Sequence, residues 1–196
     1  MSEPADPVAD DAHAHTSGLG GRANGLWWIL SVGVIVIVID QVTKYLAIQS
    51  LEGEPKVQVV GEILQLTFVR NPGAAFSIGT QYTWLFSIAA LLVSGLVLYF
   101  ARRIVSGWWM LALGMLLGGA LGNLIDRFTQ PPGGGFGHVV DFLELPNWPV
   151  FNVADMSVVG AAILIVVLSL LGVEPTGKRP ADSHEDEPAT ATTPEP

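Results

Sequence analysis

The sequence predicts an all-α membrane protein: four transmembrane helices, with a small extracytoplasmic β-sheet insert between the first two. Half of the 196 residues are apolar, and they gather in four stretches of about the 20 residues needed to cross the hydrocarbon core. Between the first and second stretches the pattern changes to period-two alternation, which belongs to strands.

Residues 1–25 are rich in Ala, Asp, Pro, Gly and His, cannot bury enough apolar surface to fold, and are expected to form a disordered cytoplasmic tail. The first span is expected over residues 26–46. Its acidic leader, its length and the lack of a small-x-small cleavage site favour a retained span over a signal peptide. Residues 47–82 form the insert: Lys56-Val57-Gln58-Val59 and Leu64-Gln65-Leu66-Thr67-Phe68 alternate, with Gly61 between them as a turn residue. Its apolar face is suited to rest on the bilayer or to roof a cavity.

The second span is expected over 83–101, the third over 108–128 and the fourth over 150–173. Residues 129–149 form an outer loop, in which Pro131-Pro132-Gly133-Gly134-Gly135 cannot be helical and is expected to be a mobile flap. Residues 174–196 are expected to form a second disordered tail, acidic and cytoplasmic. Arg22, Arg102-Arg103 and Lys178-Arg179 flank helix ends on one side, so the positive-inside rule places both termini in the cytoplasm. Trp27, Trp28, Trp108, Trp109 and Trp148 fall near the predicted interfaces, where indoles are favoured.

The formal net charge of −9 is concentrated in the tails and discourages nucleic-acid binding. With no cysteine, the chain has no disulfide, thiolate metal site, cysteine nucleophile or lipid-anchoring N-terminal cysteine. It shows no internal repeat and no paired broken helices, against a transporter built from inverted halves.

Tracing the spans at about 1.5 Å per residue brings Asp40 and Lys44 near the outer end of the first. Asn123, Asp126 and Arg127 reach the outer end of the third, and Asn152 and Asp155 open the fourth, with Asp141 just outside it. All share one depth near the outer headgroups, where ionisable groups are costly and usually functional. The i, i+3, i+4 spacing puts Asn123, Asp126 and Arg127 on one face; Asn152 and Asp155 are likewise i, i+3. Gly114, Gly118, Gly119 and Gly122 permit close backbone approach, whether to a bound peptide or to a neighbouring helix. Each charged pair also has a structural reading, Asp40 with Lys44 and Asp126 with Arg127 as interfacial ion pairs.

Two nearby carboxylates tend to keep one proton between them, so one can activate water while the other donates to a carbonyl oxygen. Asp141 and Asp155 are the candidates, with Asn side chains and Arg127 to orient substrate. A His-Glu-x-x-His zinc helix is absent, as are the Gly-x-Ser-Gly and Gly-x-Gly-Asp protease motifs, and no metal or cofactor is expected. A non-enzymatic ion or proton relay is the competing reading. It would need polar groups running to the inner face, where residues 32–39 and 161–167 are apolar.

Five segments in order, Asp40-Gln41-Val42-Thr43-Lys44, Arg70-Asn71-Pro72-Gly73-Ala74-Ala75-Phe76, Gly118 through Arg127, Val139-Val140-Asp141-Phe142 and Phe151-Asn152-Val153-Ala154-Asp155, resemble the motif blocks of bacterial lipoprotein signal peptidase (signal peptidase II). The resemblance covers residues 26–172. It implies a four-helix transmembrane aspartyl endopeptidase of the bacterial plasma membrane, acting at the outer leaflet. Its substrates would be prolipoproteins, cut just before a diacylglyceryl-modified cysteine. Asp141 and Asp155 match the catalytic pair. Asp40, Asn71, Asn123, Arg127 and Asn152 match positions that hold substrate or steady the pair, and Lys44, Gly73, Asp126 and Ala154 lie in the same blocks as expected support. Membrane lipid and globomycin-type inhibitors are the other partners implied.

Overall fold

The computed structural model describes residues 17–73 and 82–176, with side chains from Gly25. The tails before 17 and beyond 176, Lys178-Arg179, and Ala74-Ala75-Phe76 of the second block lie outside the described residues, as do the side chains before Gly25, including Arg22.

Four helices, α1 (Ser17–Leu51), α2 (Thr83–Ala101), α3 (Gly107–Thr129) and α4 (Val153–Leu170), are joined by three short strands, β1 (Val57–Val60), β2 (Leu64–Asn71) and β3 (Val139–Glu144). All four helices are long and apolar enough to cross a membrane. α1 extends beyond the expected 26–46 at both ends, while α4 is shorter than the expected 150–173, because Pro149 and the Asn152 cap delay its start. Large apolar side chains such as Ile35, Leu92, Ile163 and Val166 point outward, toward the lipid of a bilayer.

α3 is the central helix, packed against the other three. Its glycines divide the work. A methyl group on Gly118 would lie 2.6 Å from Val36 Cβ and 2.7 Å from Gly33 O of α1. One on Gly119 would lie 2.5 Å from Ala154 O of α4. The stripe thus serves helix packing, and of its four glycines only Gly119 also lines the cavity described below. Gly118→Ala is expected to cost about 1–3 kcal/mol through overpacking; an unchanged thermal midpoint in detergent would show that α1 and α3 can separate at no cost.

β1 and β2 form the antiparallel hairpin expected of the insert, turning at Gly61, whose φ is 52°. β3 lies in the expected outer loop, 129–149, and pairs with β2, placing Val69 opposite Asp141 and Arg70 opposite Val140. Val139-Val140-Asp141-Phe142 has no period-two signature, so only the free edge of β2 makes it a strand. Below the sheet, Ala47 and Leu51 at the end of α1 pack with Phe142, joined by Leu66, Phe68 and Val153. This small core seats β3 on the helices.

The Pro- and Gly-rich connection is tied down rather than free. Gly135 N and Gly137 N both donate to Arg127 O, and Ser87 Oγ of α2 donates to Gly135 O at 2.6 Å. The first two satisfy a carbonyl that the end of α3 leaves open, and the third ties the loop to α2.

Candidate functional site

α4 begins with a capping box. Asn152 Oδ1 accepts from Asp155 N at 2.9 Å, and Asp155 Oδ2 accepts from Asn152 N at 3.2 Å. Because a backbone N–H occupies its oxygen, the Asn152 amide must present its NH2 group to the other side. There it donates to Asp141 Oδ1 at 2.6 Å, with Val140 O and Asn123 Oδ1 also in reach.

The same logic orients two further amides. Lys44 Nζ, a donor only, bonds to Asn123 Oδ1 at 2.9 Å, so Asn123 Nδ2 faces Asp155 and donates to its Oδ1 at 2.8 Å. Asn71, the last residue of β2, accepts from Gly73 N at 3.0 Å and donates through Nδ2 to Asp141 Oδ2 at 2.9 Å. Each aspartate therefore has both oxygens engaged by N–H groups whose direction is set elsewhere.

Beneath the pair is a buried ion cluster. Lys44 is 2% exposed and lies 2.9 Å from both Asp40 and Asp126, themselves 0% and 1% exposed. Asp40 Oδ1 accepts from Ala154 N at 2.9 Å; Asp126 Oδ2 accepts from Val140 N at 3.0 Å. Ala154 and Val140 are the residues immediately before Asp155 and Asp141. One lysine thus links two carboxylates, and each of those grips the backbone beside one of the two aspartates. Gln41 completes the cluster, donating through Nε2 to Asp40, Asp126 and Gly122 O.

Asp141 and Asp155 line a cavity of about 480 Å³ together with Asn71, Gly73, Asn123 and Arg127. Deeper in the bundle the walls are apolar, from Phe86 and Ala90 of α2, Gly119 and Ala120 of α3, and Val158 and Val159 of α4. Arg127 donates through Nη2 to Gly73 O at 3.0 Å and lies 5.2 Å from the centre of the Phe86 ring, leaving Nη1 without a described partner. That nitrogen can bind a carbonyl oxygen.

Burial pushes the Asp141 carboxyl up to about 7, and the charge of Asp155 acts in the same direction, against the bonds from Asn71 and Asn152. Two such carboxylates beside a cavity can hold one proton between them and carry out acid and base steps together.

Every site residue expected from the sequence falls in this assembly. Asp40, Lys44, Asn71, Asn123, Asp126, Asn152, Asp141 and Asp155 form one continuous hydrogen-bonded network, to which Gly73 and Arg127 attach and Ala154 contributes its N–H. Sequence reasoning gave Gln41 no role, although it stands beside Asp40. It also took Asn152 and Asp155 as a polar face where Asn-x-x-Asp was the signal for a cap.

The model of the family described as signal peptidase (SPase) II matches residues 32–171. Lipoprotein signal peptidase of Mycobacterium tuberculosis (strain H37Rv) is 48% identical over 186 residues, 91% of each chain. Its counterpart from Rhodococcus jostii (strain RHA1) is 51% identical over 145 residues, 74% of this chain and 73% of that one. A bacterial membrane enzyme solved by the in meso method at 2.3 Å resolution superposes with a TM-score of 0.63 at 28% identity, covering 83% of this chain and 93% of the other.

Proposed function

The chain belongs to the signal peptidase II family, and from that premise we propose that this multi-pass membrane protein is an aspartyl endopeptidase that removes signal peptides from diacylglyceryl-modified prolipoproteins, cutting just before the lipidated cysteine. The observation that carries the reading is that Asp141 and Asp155 line one cavity, each held by directed amides.

In the proposed reaction the ionised carboxylate takes a proton from water as its oxygen attacks the scissile carbonyl carbon, while the protonated carboxyl donates to the carbonyl oxygen. Collapse of the tetrahedral intermediate breaks the C–N bond, and a proton passes to the departing nitrogen. The products are a signal peptide with a new carboxylate and a lipoprotein with a free cysteine amine. Arg127 Nη1 serves to hold a substrate carbonyl, while Asn71, Asn123 and Asn152 steady the carboxylates. Asp40, Lys44, Asp126, Gly73 and Ala154 support them from behind.

We place both termini in the cytoplasm and the dyad at the outer leaflet, from the Arg102-Arg103 pair at the opposite end of the bundle. The catalytic unit is residues 26–173, and globomycin-type inhibitors are expected to occupy the same cavity. Purified protein should cleave a diacylglyceryl prolipoprotein peptide; no cleavage in detergent or reconstituted membranes would sink the proposal.

The pH profile follows from Asp141. With its carboxyl raised to about 7, the shared proton is retained below that pH and lost above it. The value of kcat/KM is therefore expected to fall on the alkaline side, about tenfold per pH unit above the upper ionisation. A profile flat into strongly alkaline buffer would show that no protonated carboxyl is needed.

A further inference from the structure

The loop that joins the two aspartates is hydrogen-bonded to itself and lines the cavity. Phe142 N and Leu143 N donate to Phe151 O, and Phe151 N donates back to Leu143 O at 2.9 Å, closing its base. At its tip, Trp148 N donates to Leu145 O at 3.2 Å across a turn in which Pro146 presets the backbone and Asn147 adopts a φ of 58°. Pro149 follows at once. The backbone of Trp148 is therefore held between two prolines at the mouth of the cavity. Trp148 lines the wall yet remains 60% exposed, and its indole N–H has no described partner.

Direction through the cavity assigns this rim. The apolar walls at Gly119, Ala120, Val158 and Val159 come from α3 and α4 on the membrane side of the aspartates, which on the proposed function is the course of the signal peptide. Residues on the other side of the scissile bond must leave past the outer rim. The first of them, on the proposed function, is the lipidated cysteine. A diacylglyceryl group has an apolar body and ester carbonyls at headgroup depth, which match an indole face and a single N–H donor.

We propose that Trp148 is a specificity-determining residue that packs on the glyceryl and upper acyl segment of the substrate and donates its N–H to an ester carbonyl. The assignment rests on the function proposed above. With its backbone held, an indole has only two side-chain torsions to fix on binding, so much of its contact area is retained as affinity.

The test is equilibrium binding to Asp155→Asn protein, in which turnover is expected to be slow enough for binding to be read, with Trp148 kept, changed to Phe or changed to Ala. The probes are one peptide carrying diacylglyceryl-cysteine and the same peptide carrying S-methylcysteine. Trp148→Ala is expected to weaken the lipidated peptide roughly tenfold and leave the S-methyl peptide unchanged. Trp148→Phe should fall between, keeping the ring and losing the donor. Equal weakening of both peptides would make Trp148 a general interface anchor and overturn the proposal, as would lipidated-peptide affinity within twofold of the parent. Cleavage by the wild type is measured separately. Lipid-selective loss at Trp148 without any wild-type cleavage would refute the protease reading while keeping Trp148 as the contact for the diacylglyceryl group; cleavage without lipid-selective loss would do the reverse.

Discussion

Asp141→Asn and Asp155→Asn are each expected to lower kcat by at least about 10³-fold, with the double variant little worse than either single one. Asn has nearly the shape of Asp but cannot share a proton in the same way. The substitution also turns an acceptor into a donor. Asp141 accepts from Asn152 Nδ2 and Asn71 Nδ2, and Asp155 from Asn123 Nδ2 and Asn152 N, so one amide in each variant meets another N–H. The cost of that mismatch is about 1–3 kcal/mol, felt in stability as well as in rate. Thermal midpoints and inhibitor binding should accompany the assay, so that lost chemistry is separated from lost fold. Cleavage within tenfold of wild type by either single variant would remove that residue from the chemistry.

Lys44→Met carries the second large effect. Removing the ammonium leaves Asp40 and Asp126 buried without their cation, a loss of about 3–5 kcal/mol. The consequences reach the site by two routes. Asp40 and Asp126 hold Ala154 N and Val140 N, so repulsion between the freed carboxylates pulls on the backbones next to Asp155 and Asp141. Asn123 also loses the shorter of the two bonds to its oxygen, leaving only the one from Asn152 Nδ2 to direct its amide toward Asp155. Activity is therefore expected to remain low even at temperatures where the variant stays folded. The triple variant Asp40→Asn, Lys44→Met, Asp126→Asn removes the buried charge, so stability should recover more than kcat. If Lys44→Met kept both stability and rate, the cluster would be no more than a packing feature.

The elements most legible in the sequence were those governed by local physics. Span length, tryptophans near helix ends and alternation around Gly61 each follow from residues close in the chain, and the four helices and the first hairpin appear where those signals lie. The third strand was not legible. Val139 to Phe142 lacks alternation, and its partner β2 lies about 70 residues earlier. The glycine stripe was legible as a feature but not in its purpose, because close approach to a peptide and close approach to a helix demand the same small residues. Gln41 went unassigned since a glutamine beside an aspartate has no local signature of burial.

By itself the sequence determined that four apolar spans exist and that a set of ionisable and amide residues lies at one end of them. Length against bilayer thickness and the rise of a helix suffice for that. The tertiary structure decided the direction of each group. Three asparagine amides point their NH2 groups at Asp141 and Asp155 because a lysine or a backbone N–H holds the opposite oxygen. Those holding groups come from α1, from the end of β2 and from the α4 cap, and only packing brings them within hydrogen-bond distance of one another.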